Sequence, residues 1–163
     1  MEVVVVTTGG TIAMQHDAAA GGAVPTLAGA DFLRSLPAGL PPGRVVEHCN
    51  LPSAHFTLDL LWSLRQRVAA LAGDPGVAGI VVTHGTDTLE ETAYLLDLTV
   101  PGETPVVVTG AMRTASDAGY EGYANLAAAI QVAAGREARG LGTLVVLNDE
   151  IHAARYVTKT HTL

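Results

Sequence analysis

The chain has 163 residues, of which 48% are hydrophobic and only 15% are charged, and its formal net charge is −7. This composition excludes a disordered chain, and the lack of any Lys or Arg run excludes a surface built to bind nucleic acid. We expect one compact domain, because a chain of this length can bury a core without disulfides or a metal.

The cysteine content and the length of the apolar runs indicate where in the cell the protein is expected. Cys49 is the only cysteine, so no intrachain disulfide is possible, and it is expected to be a small core residue in a reducing cytosol. Apolar runs such as Val3 to Val6 fall far short of the ~20 residues of a membrane span, and no signal-peptide pattern opens the chain. We therefore expect a soluble, cytoplasmic protein with no membrane partner.

The opening stretch, Val3 to Thr8, runs directly into Gly9, Gly10 and Thr11. Consecutive β-branched residues favour a strand that is buried on both faces of a parallel sheet. Glycines at its end allow a tight turn and the close approach of a ligand to the backbone. Thr11 is therefore a candidate nucleophile, although a plain turn explains the same pattern.

Strands and helices are predicted to alternate after this turn. Residues 14 to 28 lack apolar periodicity, which favours a mobile binding loop. Strands are predicted at 44–50, 79–83, 105–109 and 141–147, and helices at 31–36, from an N-cap at Thr57 to about 72, at 89–98 and at 120–134. This order predicts a doubly wound α/β domain with three layers, flavodoxin-like or Rossmann-like, around a mainly parallel sheet.

The tail has a different pattern. Residues 151 to 163 alternate polar and apolar side chains, which favours an antiparallel extension of the sheet. No closing element follows Lys159, and we expect the chain to be a fragment that ends at an interdomain linker.

Several reactive side chains follow the predicted strands. Ligands of such sheets bind at the carboxyl ends of the strands. A threonine hydroxyl needs a base to become a nucleophile, and a lysine kept neutral by its surroundings can serve. Backbone amides beside Gly10 and Gly85 could stabilise an oxyanion. Five residues could converge on one pocket: Thr11, Thr86, Asp87, Ala111 and Lys159.

Four segments together resemble the bacterial-type L-asparaginases. They are Thr8-Gly9-Gly10-Thr11-Ile12-Ala13, the run His84-Gly85-Thr86-Asp87-Thr88-Leu89-Glu90-Glu91-Thr92-Ala93, Gly110-Ala111-Met112-Arg113, and Val157-Thr158-Lys159-Thr160. The resemblance implies an amidohydrolase that releases ammonia from asparagine, assembled as a homodimer or homotetramer. It also implies that residues 1–163 form the amino-terminal domain, with a smaller carboxyl-terminal α/β domain absent from this chain.

The resemblance further implies a role for each matching residue. Thr11 would be acylated, while Thr86, Asp87 and Lys159 would form a second catalytic set. Gly10 would belong to the substrate site. Thr86 and Asp87 would contact the α-carboxylate and α-amino group of the substrate, Ser53 would bind the α-carboxylate, and Ala111 would face the side-chain amide. No cofactor is implied, and the spacing of the histidines predicts no metal site.

The sequence is also compatible with other interpretations. Residues 14 to 30 contain no tyrosine where the family has its activating one, and Ala54 follows Ser53 where the family often has glutamine. A glutaminase, a different amide hydrolase, or a non-catalytic module that binds aspartate or asparagine or is purely structural is each compatible with the sequence. His84 could be structural or catalytic, and Glu90 and Glu91 most simply complement the positive end of a helix.

Overall fold

The computed structural model describes residues 1–27 and 29–161, without the side chains of residues 30, 32 and 33. In this part of the chain the strands are β1 (Glu2–Thr7), β2 (Met14–Asp17), β3 (Gly22–Pro25), β4 (Gly43–Glu47), β5 (Val77–Thr83), β6 (Val106–Thr109), β7 (Thr143–Leu147) and β8 (Glu150–Ala153). The α-helices are α1 (Gly29–Arg34), α2 (Leu58–Ala72), α3 (Leu89–Thr99) and α4 (Gly122–Ala134). Short 3-10 turns cover Thr11–Ala13, Ser53–His55 and Arg136–Ala138.

The main sheet has the strand order β4-β1-β5-β6-β7-β8. Five of these strands, from β4 to β7 in this spatial order, are parallel, and the edge strand β8 is antiparallel to β7. Strands β2 and β3 form a separate antiparallel pair. The chain moves from β1 outward to β4 and then returns to β5 on the other side of β1, which is the flavodoxin-like order. The predicted fold class is confirmed, and the strand order reverses between β1 and β5, where doubly wound sheets bind their ligands.

The core lies on both faces of this sheet. Val3 and Val5 of β1 pack into one apolar cluster with Leu126 and Ile130 of α4. Their neighbours Val4 and Val6 point to the opposite face and pack with residues of α2 and α3. All four β1 valines have no exposed surface. The unbroken apolar run thus has its expected cause, a strand covered by helices on both sides.

The ends of α2 follow from local chemistry. The Thr57 hydroxyl accepts a hydrogen bond from the Leu60 N–H at 3.2 Å, which confirms the predicted N-cap. The helix ends before Gly73, whose N–H donates to the Ala69 carbonyl. No helix in residues 1–27 or 29–161 is long and apolar enough to cross a bilayer.

Two sequence predictions are wrong in part. The irregular loop expected at 14 to 28 is instead the β2–β3 hairpin over most of its length, with Ala28 outside the described residues. The Asp17 carboxylate accepts from the Ala19 N–H at 2.7 Å and stabilises the hairpin turn, a local bond that apolar periodicity cannot reveal. In the tail, only β8 is an antiparallel strand; residues 154–161 leave the sheet, and 162–163 lie outside the described chain.

Candidate active site

The turn after β1 is held by hydrogen bonds on both sides of Thr11. The buried Thr8 hydroxyl donates to the Thr83 carbonyl of β5 at 2.7 Å. The Tyr120 hydroxyl donates to the Ile12 carbonyl at 2.7 Å, and the Ala13 N–H donates to the Gly10 carbonyl at 2.9 Å. Thr11 itself begins the 3-10 turn and is half-buried. The fixed backbone therefore presents the Thr11 side chain at the carboxyl edge of the sheet.

Glycines bring three chain segments into contact beside Thr11. A β-carbon on Gly10 would lie only 2.4 Å from Gly85 Cα, and one on Gly85 would lie 2.6 Å from Ser53 Oγ. Gly10 also has φ +81°, which L side chains rarely adopt. The β1 turn, the β5 turn and the Ser53 segment can approach this closely only because both positions are glycine.

Ser53 is 2% exposed and is bound to the β5 turn through Thr88. Its hydroxyl oxygen accepts from the Thr88 N–H at 3.3 Å, and the Thr88 hydroxyl donates to the Ser53 carbonyl at 3.1 Å. The Ser53 hydroxyl keeps its own proton for a further acceptor, because an alcohol both donates and accepts.

Lys159 reaches the same turn from the end of the described chain. Its Nζ donates to Thr86 Oγ1 at 2.9 Å and lies 3.2 Å from Asp87 Oδ1. Its main-chain N–H donates to Glu90 Oε2 at 2.6 Å, and the Thr158 hydroxyl donates to Glu90 Oε1 at 3.4 Å. The side chain of Lys159 is 25% exposed, whereas that of Asp87 is 63% exposed. A cation, a hydroxyl and a carboxylate thus form one polar cluster.

The turn after β6 borders this cluster. A β-carbon on Gly110 would lie 2.5 Å from the His84 carbonyl oxygen and 3.4 Å from the Thr86 methyl carbon. The Asn125 amide donates to the Gly110 carbonyl at 2.9 Å, and the Met112 N–H donates to the Glu121 carboxylate. Ala111, between these two anchors, is fully buried. The third predicted strand end therefore lies next to the second.

His84 is buried beneath the β5 turn. Its Nδ1 lies 2.7 Å from the Gly85 carbonyl oxygen, its Nε2 lies 3.0 Å from Thr92 Oγ1, and the Phe56 ring packs on it edge to face at 4.7 Å. Burial lowers the pKa of His84, although the hydrogen bond with Gly85 acts in the opposite direction. A carbonyl only accepts, so Nδ1 donates to it, and the neutral ring then accepts at Nε2 from the Thr92 hydroxyl.

The β2–β3 hairpin is attached to the loop after β6. The Ala115 N–H donates to the Met14 carbonyl at 2.9 Å, and the His16 N–H donates to the Ser116 hydroxyl at 3.0 Å. His16 Nε2 also lies 3.1 Å from Asp117 Oδ1. Hydrogen bonds from Thr114 lower the pKa of Asp117, and His16 adds to this. These contacts hold the hairpin at the side of the site that contains Thr11.

Comparisons with known proteins agree with this arrangement. The family model described as "Asparaginase, N-terminal" matches residues 2–163. The chain belongs to the asparaginase family. It is 43% identical to an L-asparaginase of Bacillus licheniformis over 98% of this chain and 50% of the relative, and 40% identical to a glutaminase-asparaginase of Pseudomonas fluorescens over 96% and 45%. The chain thus spans about half the length of these relatives.

A solved asparaginase has the same fold. The crystal structure of a probable cytoplasmic L-asparaginase from Campylobacter jejuni superposes with a TM-score of 0.88 at 34% identity, over 99% of this chain and 49% of that one. The three-layer α/β architecture is therefore that of an asparaginase over nearly the whole chain.

The structure brings most of the predicted site residues of this asparaginase-family chain to one edge. Gly10 and Ser53 both contact Gly85, which immediately precedes Thr86. Thr86, Asp87 and Lys159 are directly bonded, and Ala111 follows the glycine that contacts Thr86. The Gly10 N–H donates to the Leu51 carbonyl at 3.1 Å, so it is not free to serve as an oxyanion donor.

Three supporting residues of the asparaginase-like site were not identified from the sequence. Tyr120 and Glu121 are bonded to the turns that contain Thr11 and Ala111, and they lie at the start of a helix where no local pattern singles them out. Glu90 was assigned to the helix end, but its carboxylate binds the segment of Lys159. In residues 1–27 and 29–161 no group of three His, Cys, Asp or Glu side chains is placed to bind a metal ion.

Proposed function

We propose that the protein is an L-asparaginase-type amidohydrolase that converts L-asparagine to L-aspartate and ammonia through an acyl-threonine intermediate. The observation that carries the proposal is the bonded set of Lys159, Thr86 and Asp87 next to the turn that presents Thr11. Such a set offers a hydroxyl nucleophile, a proton carrier and charges for a small zwitterion at one sheet edge.

In the first step, the Thr11 oxygen attacks the side-chain amide carbon of asparagine, and its proton passes to the site. The tetrahedral intermediate collapses when the C–N bond breaks, and the amide nitrogen takes up a proton and leaves as ammonia. Water then attacks the acyl-Thr11 ester, which releases aspartate and restores the hydroxyl. Because the Gly10 N–H is occupied, we assign the oxyanion to the main-chain N–H groups of Thr11 and Thr86.

The lysine–threonine contact supports a proton path. While the ammonium of Lys159 donates to Thr86 Oγ1, the Thr86 hydroxyl proton is left to point towards substrate or water. When Lys159 is neutral, the same contact can reverse, and the amine then accepts the Thr86 proton as Thr86 takes one from the attacking group. Asp87 Oδ1 lies 3.2 Å from the same Nζ and so helps to fix its position.

Two residues suit the charged ends of an α-amino acid. The remaining Ser53 hydroxyl proton can be donated to the α-carboxylate, in a place where burial strengthens a charge-assisted hydrogen bond. The exposed Asp87 carboxylate can accept from the α-ammonium group. This pairing supports a free amino acid as the substrate rather than an amide within a protein chain.

Glutamine is a second candidate substrate. The relative from Pseudomonas fluorescens is named a glutaminase-asparaginase at 40% identity, which supports testing both amides. A non-catalytic module that binds aspartate is the remaining alternative, and it differs from an enzyme in binding the product without turnover.

We further propose that activity requires a second part of the protein, equivalent to the half of each relative that this chain does not match. We also propose that the protein works as a homodimer or homotetramer in the cytoplasm. The match to about half of each relative supports the first of these proposals. Exposed apolar side chains on α2 and α3, Leu58, Trp62 and Leu98, support a covered surface. The Campylobacter jejuni protein is described as a probable cytoplasmic L-asparaginase, which supports the compartment. Light scattering of the full-length protein measures the assembly.

The test measures ammonia release from asparagine and glutamine by the full-length protein. Thr11→Ala should lower kcat by roughly 10³-fold or more, because a nucleophile has no substitute, and Lys159→Met should also abolish most turnover. Thr99→Ala is the matched control, since its hydroxyl donates only within its own helix, to the Leu95 carbonyl at 2.6 Å. Unchanged turnover in Thr11→Ala would overturn the mechanism. Aspartate binding without any turnover in the parent protein would favour the binding module.

A further inference from the structure

Glu90 connects the start of α3 to the segment that contains Lys159. Its two carboxylate oxygens accept from the Lys159 N–H at 2.6 Å and from the Thr158 hydroxyl at 3.4 Å. Residues 157–161 belong to no helix or strand, and beyond the Val157 N–H, which donates to the Ala153 carbonyl at 3.2 Å, no main-chain to main-chain bond holds the described part of this segment. The carboxylate of Glu90 is therefore the anchor of the main chain at Lys159.

The same helix start also binds the other end of the lysine. Nζ contacts Thr86 and Asp87, which precede Glu90 by four and three residues. Lys159 is thus bound at its main-chain nitrogen and at its ammonium by one rigid turn. A lysine side chain has four rotatable bonds, and fixing both ends removes most of the positions that Nζ could otherwise take.

A general attraction to the helix end does not explain this contact. Glu91 occupies the same first turn of α3 and has the same charge, but it is exposed, and within the described chain its side chain makes no hydrogen bond or ion pair. The two neighbours therefore separate the effect of a charge near a helix N-terminus from the effect of a bond to the Lys159 segment.

We propose that Glu90 is a positioning residue, which sets the Lys159 ammonium against Thr86 and Asp87 and so controls the proton transfer. The inference rests on the proposed function, because it acts through the lysine assigned there. A carboxylate bound to a main-chain N–H acts on geometry and leaves the substrate groups untouched. Loss of Glu90 should therefore reduce kcat while KM changes little.

The experiment uses the full-length protein with Glu90→Ala, Glu90→Gln and the matched control Glu91→Ala. We expect Glu90→Ala to lower kcat by about 10- to 100-fold, with KM within about threefold, since a misplaced catalytic group costs rates of this order. Glu90→Gln keeps one carbonyl acceptor and should fall between Glu90→Ala and the parent. Glu91→Ala should stay within about twofold of the parent. If Glu90→Ala does not fold, the Gln variant carries the test.

A second readout does not depend on turnover. Lys159 is the only lysine among the 163 residues, so an amine-reactive label on this segment can be assigned to it by mass spectrometry. Labelling of Lys159 should be several times faster in Glu90→Ala than in Glu91→Ala.

The two proposals fail in different ways. Full ammonia release by Thr11→Ala would overturn the proposed function. Loss of activity in Thr11→Ala, combined with parental kcat and labelling in Glu90→Ala and Glu90→Gln, would overturn the positioning role alone. A rise in KM with unchanged kcat would also overturn it, because Glu90 would then act on substrate binding.

Discussion

The buried contact between Thr92 and His84 allows a quantitative test of what holds the β5 turn. Thr92→Val replaces the hydroxyl by a methyl group of similar size, and Thr92 is 1% exposed, so no water can take over the bond at 3.0 Å. The imidazole Nε2 would be left buried without a donor. Such an unsatisfied group costs about 1–3 kcal/mol, which is the destabilisation that we expect.

Thr99→Val on the same helix is the control. Its hydroxyl donates to the Leu95 carbonyl one turn earlier, an oxygen that the helix ladder also engages, so its loss should cost within about 0.5 kcal/mol. Urea unfolding of the full-length protein at pH 7.5, followed by circular dichroism, measures both free energies of unfolding. Equal costs for the two variants would refute the assignment of Nε2 as a buried acceptor that needs Thr92.

Three further substitutions test the buried histidine, the glycine contact and the attachment of the hairpin. Burial lowers the pKa of His84 in the folded protein, so the neutral ring contributes fully to the free energy of unfolding above the unfolded pKa of about 6.5. This contribution is lost as the pH falls towards the folded pKa. His84→Gln has no imidazole, and the free energy of unfolding of this variant should lack that part of the pH dependence. Gly10→Ala should abolish ammonia release and destabilise more than Gly21→Ala, since both have positive φ but a β-carbon at Gly21 meets nothing within 4 Å; equal destabilisation would contradict the close contact. Asp117→Asn should speed proteolysis within residues 14–25 by about two- to fivefold, a small effect because the contact with His16 is largely exposed; an unchanged cleavage rate would show that Asp117 does not help to attach the hairpin.

The position of the site residues could be predicted where they directly follow the strands of the parallel sheet. The valine run of β1 predicted a strand buried on both faces, and the parallel order places the residues after β1, β5 and β6 at one edge. Thr57 at the start of an apolar helical pattern predicted an N-cap, and the structure has it. In each case the signal lies within a few residues of the feature that it predicts.

The sequence did not predict hydrogen bonds between residues far apart in the chain, or strands of only four residues. Glu90 and Lys159 lie 69 residues apart, so nothing near either residue indicates their bond. The four-residue strands β2 and β3 are too short to show a period, and the antiparallel hairpin is held partly by the loop after β6. The bond from the Gly10 N–H to the Leu51 carbonyl also joins two separate segments, so no local pattern indicates it.

Side-chain hydroxyls join neighbouring strands at the edge where the loops leave the sheet. The Thr8 hydroxyl donates to the Thr83 carbonyl, and the Thr109 hydroxyl donates to the Val146 carbonyl, each at 2.7 Å. Neither bond involves a side chain of the candidate site residues. Amino-acid changes in the loops above leave these two bonds intact, so the side chains at this edge can change at little cost to folding while the strand ends stay fixed.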